Sequence, residues 1–126
     1  MKHVLIASVI LLAVLAFCIF SVYFVRTSAA QTLEALTVSY QYARNHNFSA
    51  AAAALSGAEQ SWKKHEDFYS SVLAHDEVDQ VASDLAELRQ YVLVSDYDDY
   101  LAVVSRLMET LRHMRQVELP VYYNIF

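Results

Sequence analysis

Residues 36–56, LTVSYQYARNHNFSAAAAALS, answer to residues 85–105, LAELRQYVLVSDYDDYLAVVS, at a constant offset of 49. In that register Tyr42 meets Tyr91, Phe48 meets Tyr97 and Ser56 meets Ser105. Each copy reads as a helix, a short polar break, an aromatic residue and a second helix. A duplicated αα-hairpin accounts for the pattern, with chance similarity between amphipathic helices as its competitor. The period is far from the roughly 34 residues of a tetratricopeptide unit.

Working outward from the two breaks gives four helices. In the first, Leu33, Leu36, Tyr40 and Ala43 recur at three- and four-residue steps, and Asn45-His46-Asn47 interrupts them. The second opens at Ser49 as N-cap and carries Leu55, Ala58, Trp62, Tyr69 and Val72 on one face. The third begins near Asp76 with Val78, Val81, Leu85, Leu88 and Val92 in strict three–four alternation. The fourth opens at Ser95 or Asp96, presents Tyr97, Tyr100, Val104, Leu107, Leu111 and Met114, and ends at Pro120 at the latest. One glycine and one proline in 126 residues agree with few, long helices. Breaks this short force consecutive helices antiparallel, so the expected fold is all-α: an up-down-up-down four-helix bundle following an N-terminal transmembrane helix.

That helix is residues 4–25, VLIASVILLAVLAFCIFSVYFV, 22 positions without a charge. At about 1.5 Å per residue they cross a hydrocarbon core of roughly 30 Å. Lys2 and Arg26 bracket the run, and Phe20, Tyr23 and Phe24 place rings at its far interface. Two processing signals compete. Leu15-Ala16-Phe17-Cys18 is a poor lipoprotein box because bulky Phe17 precedes the cysteine. Ser28-Ala29-Ala30 suits a signal peptidase, but the apolar run exceeds the roughly 7–15 residues of a signal-peptide core. An uncleaved anchor is therefore expected. The division is 1–26 anchor, 27–118 bundle and 119–126 apolar, aromatic tail.

Charge narrows the partners. Residues 27–126 carry a formal charge of −7, which opposes nucleic acid and anionic headgroups. A short N-terminal tail before an acidic domain favours N-terminus inside and bundle outside: a single-pass protein of the cell membrane with an extracytoplasmic domain. The lone Cys18 lies in the apolar run, so no intramolecular disulfide forms.

Residues 62–79, WKKHEDFYSSVLAHDEVD, hold two histidines and five carboxylates. His75, Asp76 and Asp79 have the one-turn spacing of divalent-metal ligands, yet no second His or Cys stands at ligand spacing. Capping of a helix start, where negative charge opposes the dipole, is the better reading. His65 falls in the apolar stripe between Trp62 and Tyr69, and Trp62 is expected as a core anchor. Ser95–Tyr100, SDYDDY, lacks the glycine and closing glutamate of a calcium loop and reads as another helix start. No catalytic arrangement and no cofactor motif is present in the sequence. The tail LPVYYNIF is too apolar to be left in water; it packs across the open end of the bundle or docks on headgroups or a partner helix.

The chain resembles the bacterial family of domain of unknown function 4363. The resemblance rests on the apolar N-terminus, Trp62 in a helix, the His75-Asp76-Glu77-Val78-Asp79 corner, and Asn124-Ile125-Phe126 closing the chain after Glu118. It implies a small membrane protein of Gram-positive bacteria with no assigned activity. It also implies that His75, Asp79 and the Asn124-Ile125-Phe126 end act as a group, with His75 as a clasp on the C-terminal segment; Trp62, Tyr122 and Tyr123 are further expected structural or interaction residues. Two functions compete: a non-enzymatic accessory or scaffold subunit held to a multi-span partner or to itself, and a membrane-tethered sensor that binds a ligand or metal between its helices.

Overall fold

The computed structural model describes residues 1–116. It contains four helices, α1 (Lys2–Arg44), α2 (Phe48–Val72), α3 (His75–Leu93) and α4 (Tyr97–Gln116). The described residues include no strand. The apolar N-terminal segment and the first bundle helix are one element of 43 residues. Neither Gly nor Pro stands within it, so nothing in the sequence breaks its hydrogen-bond ladder.

α1 packs against α2 and α4, and α3 packs against the same two, which leaves α1 and α3 on a diagonal. The chain goes up, down, up and down. Residues 1–20 are exposed on every side, and burial begins at Ser21 and continues through Val25, Ser28, Ala29, Thr32, Leu33, Leu36, Ser39 and Ala43. That three–four stripe marks the face turned to the bundle. The other helices supply Leu55, Ala58, Trp62 and Tyr69, then Val78, Val81, Leu85, Leu88 and Val92, then Tyr100, Val104, Leu107, Leu111 and Met114, all buried. The expected Val72 is instead 36% exposed, because it lies at the very end of α2 beside the emerging apolar segment.

The sequence repeat reappears as two matching turns. After α1, His46 takes a left-handed φ of 61°, and after α3, Ser95 does so with φ 53°. In the first, the His46 amide donates to the Ala43 carbonyl (2.9 Å) and the Asn47 amide to Tyr42 (2.8 Å). In the second, Ser95 donates to Val92 (3.4 Å) and Asp96 to Tyr91 (3.0 Å). Each bond has its counterpart at an offset of 49. Both turns are Schellman endings, in which a left-handed residue lets the last carbonyls of the helix find donors.

The residue after each left-handed position caps the next helix. Asn47 Oδ1 accepts from the Ala50 amide and Asp96 Oδ1 from the Asp99 amide, both at 3.2 Å. Asn47 therefore caps α2 where Ser49 was expected, because its side chain follows the Schellman turn directly. Asp96, one of the two residues expected for α4, does cap it. The α2–α3 corner differs. Its N-cap is Ala74, with no side-chain cap, so Asp76 and Glu77 act on the dipole from the first turn of α3.

The two left-handed residues give a differential test. Ser95→Gly removes the Cβ penalty and should stabilise the bundle by about 0.5 kcal/mol after the added chain entropy of glycine. His46→Gly should gain less, since His46 also stacks on Tyr97 with ring centroids 4.4 Å apart. Urea denaturation of the full-length chain in mild detergent, followed by circular dichroism, measures both. Equal gains would mean the stacked ring contributes nothing.

Candidate functional site: the seam where the apolar helix enters the bundle

The acidic, histidine-bearing segment singled out in the sequence divides in two. Its first half turns inward. Trp62, 2% exposed, stacks on Tyr69 with centroids 4.5 Å apart and planes 27° from parallel. Phe24 of α1 meets His65 at 4.9 Å and Phe68 at 4.6 Å, both edge to face. Such aromatic pairs add to the area they bury. His65 is half-buried in this cluster, as its place in the stripe implied.

The second half turns out. His75, Asp76 and Asp79 are exposed, and no group of three or more His, Cys, Asp or Glu among the described residues is placed to hold a metal ion. His65 and His75 are not brought together as a ligand pair: one lies against α1, the other opens α3. The tail residues Tyr122, Tyr123, Asn124, Ile125 and Phe126, and with them the partner of the His75 clasp, lie outside the described residues.

Hydroxyl groups line the α1 face of the seam. Tyr69 OH donates to Ser28 Oγ, which donates in turn to the Phe24 carbonyl at 2.7 Å. Eleven residues on, Ser39 Oγ donates to the Ala51 carbonyl at 2.8 Å and is bonded to Tyr100 OH, which must then be the donor. Thr32 and Ser61 share a hydrogen bond of 3.0 Å. Both tyrosines are fully buried, so a phenol on α2 and another on α4 are each satisfied by a serine of α1. Burial pushes the pKa of each phenol above the ordinary tyrosine value, and the serine bonds pull it part of the way back.

α3 is fastened differently. Asp84 is fully buried, and its Oδ1 accepts from Arg106 Nη2 at 2.7 Å and from Gln80 Nε2 at 2.9 Å. Arg106 also reaches Glu87 at 3.0 Å. On the other side, Arg89 pairs with Glu59 of α2 and donates to Ser56 at 2.9 Å. Neither Asp84 nor the buried hydroxyls was singled out from the sequence. Asp84 stands three residues after Val81 and four before Leu88, so the stripe itself carried the signal. At the far end of the bundle, the Asp99 carboxyl is raised by its hydrogen bond with Asp96 and then by the Asp96 charge, which is the crowding of a capped helix start.

The family profile for a domain of unknown function, DUF4363, matches residues 19–125, and the chain belongs to that family. No curated protein matches the chain. No solved structure matches it either.

Removing Arg106 leaves the Asp84 carboxylate buried without its cation. Arg106→Ala should cost about 1–3 kcal/mol, the lower part of the range for a buried pair because Arg106 itself is half-exposed. The cost should shrink in an Asp84→Asn background, read as a coupling energy by a double-mutant cycle. Tyr69 and Tyr100 predict an alkaline limit. The folded chain holds their protons more tightly than the unfolded chain, so their contribution is full below about pH 10 and is lost as pH rises through the higher native values. Melting temperature followed from about pH 8 to about pH 12 should fall only above that point, and less steeply in Tyr100→Phe.

Proposed function

We propose that this member of the DUF4363 family is a membrane-tethered helical bundle that serves as a non-enzymatic accessory or scaffold subunit of a membrane complex. It crosses the cell membrane once through residues 4–25, with the bundle on the extracytoplasmic side. The observation that carries the reading is α1. Residues 4–20 expose a mainly apolar surface in every direction, and the same helix then becomes one wall of the bundle. One helix long and apolar enough to span is what an anchor requires. The exposed side chains of Val9, Leu12, Phe17 and Ile19 are free to pack against helices of a multi-span protein or a second copy. The excess of acid after Arg26, a formal charge of −7, is the sequence feature behind that orientation.

A membrane-tethered sensor is the second reading, and one observation favours it. Trp62 Nε1 and Asp84 Oδ2 are buried without hydrogen-bond partners. Orphaned polar atoms of this kind are rare in folded proteins and are the atoms a bound ligand or ordered water would satisfy.

The test is purification from native membranes in mild detergent, comparing the full chain with one in which residues 1–20 are replaced by an unrelated span. Keeping Ser21 onward preserves the face that packs. The full chain should bring a stoichiometric membrane protein, and the swapped chain should come alone with an unchanged melting temperature. A full chain that emerges alone removes the accessory reading. Thermal shifts of that sample with divalent metals and small ligands then decide the second one.

A further inference from the structure

We infer that the α2–α3 end of the bundle is itself seated in the bilayer, with Val72 and Leu73 among the uppermost lipid acyl carbons and Arg26 at the phosphate level. This rests on the reading of residues 4–25 as a span. The fully exposed apolar segment, residues 4–20, has 17 residues. At about 1.5 Å each they reach only about 25 Å, roughly 5 Å short of a 30 Å core, and tilt widens the gap. The deficit must be met by the next turn of α1, residues 21–24. That turn is already occupied on one side by the bundle.

The antiparallel register says by what. Phe24 sits on Phe68 and Ser28 on Tyr69, and Val72 and Leu73, one turn further along α2, reach the level of Ser21 and Val25. There Phe17, Ser21, Val25, Val72, Leu73 and Met114 line an open, mainly apolar groove with Arg26 at its rim. The groove continues the apolar surface of the span without interruption. Beside it the exposed Phe20 ring stacks on the half-buried Phe24 at 5.9 Å, and Tyr23, exposed in the same turn, carries a ring that favours the membrane–water interface.

Charge sets the limit of immersion. Asp76, two residues beyond Ala74 in the first turn of α3, is exposed as His75 before it is, and a carboxylate does not readily enter hydrocarbon. The corner can therefore sink by its aliphatic tip and no further. Arg26, exposed on α1 one turn above Val22, has a stem long enough to lie on apolar surface while its guanidinium meets a lipid phosphate.

The test uses the full chain with Cys18→Ala, reconstituted in phosphatidylcholine vesicles. A fluorophore is placed on a single cysteine at Ile10, Val72, Leu73 or Leu93, and quenching is read with lipids brominated near the top or near the end of the acyl chain. Ile10 should be quenched most by the deep bromines, Leu73 and Val72 by the shallow ones, and Leu93 at the opposite end of the bundle by neither. If Ile10 is quenched while Val72 and Leu73 both stay dark to bromine, the span stands and the seated corner is overturned. An unquenched Ile10 removes the span and this inference with it. Quenching at Leu73 that appears only after deletion of residues 117–126 means the C-terminal segment covers the groove. Quenching that appears only at high lipid-to-protein ratio means a second copy does. Either result overturns the lipid assignment.

Discussion

On the proposed reading of residues 4–25 as a span, the structure depends on a single helix that has to satisfy two solvents. In residues 4–20 every side of α1 is apolar, because in hydrocarbon every direction is the same. From Ser21 onward only one side can be apolar, because the other meets water or headgroups. A stripe of large aliphatic residues on that side would prolong the apolar run and blur where the span ends. The chain breaks up such a stripe by setting Ser28, Ala29, Thr32, Ser39 and Ala43 among Val25, Leu33 and Leu36, and lets the opposing helices supply much of the bulk. Tyr69 and Tyr100 suit that arrangement, since each fills volume with its ring and satisfies a serine with its hydroxyl.

The second hairpin is free of that constraint, and its chemistry changes accordingly. At the repeat offset, Asp84 and Arg106 occupy the places of Ala35 and Gly57 in the first hairpin. Where the first hairpin has a half-buried alanine and an exposed glycine, the second joins α3 to α4 by an ion pair, one partner of which is fully buried. A buried pair adds little net stability over an apolar one, but it penalises every register in which the carboxylate loses its cation. α3 is fixed on its other flank by Glu59–Arg89. The two hairpins thus share their turns atom for atom and differ in what holds them side by side.

What could be read from the chain followed the same division. The repeat, the helix order and the buried stripes of α3 and α4 were legible because local periodicity and turn chemistry determine them. The cap of α2 lies at Asn47 and not Ser49 because one residue serves twice, its amide closing the Schellman ending and its side chain capping the next helix. Ser28, Thr32, Ser39 and Asp84 were passed over because residue type argues for the surface, and only the partner across the bundle reverses that argument. The histidines of residues 62–79 looked like one cluster because they are near in sequence. A helix end lies between them, so His65 faces α1 and His75 faces outward.

Continuity of α1 also determines what a partner of the span would feel. Between Lys2 and Arg44 there is no glycine, proline or loop to act as a hinge. Phe24 and Ser28 are tied to α2, and Ser39 to α2 and α4, along three turns of the same helix. A tilt or rotation of the span in the membrane must therefore carry the bundle with it or break those contacts, each costly because it would strand a buried hydroxyl. With residues 4–25 in a bilayer, as proposed, the bundle would be held at a fixed attitude to it by the continuous helix. A protein gripping the span would then also position the acidic far end, where Asp96, Asp98 and Asp99 gather, at a set height and bearing above the membrane.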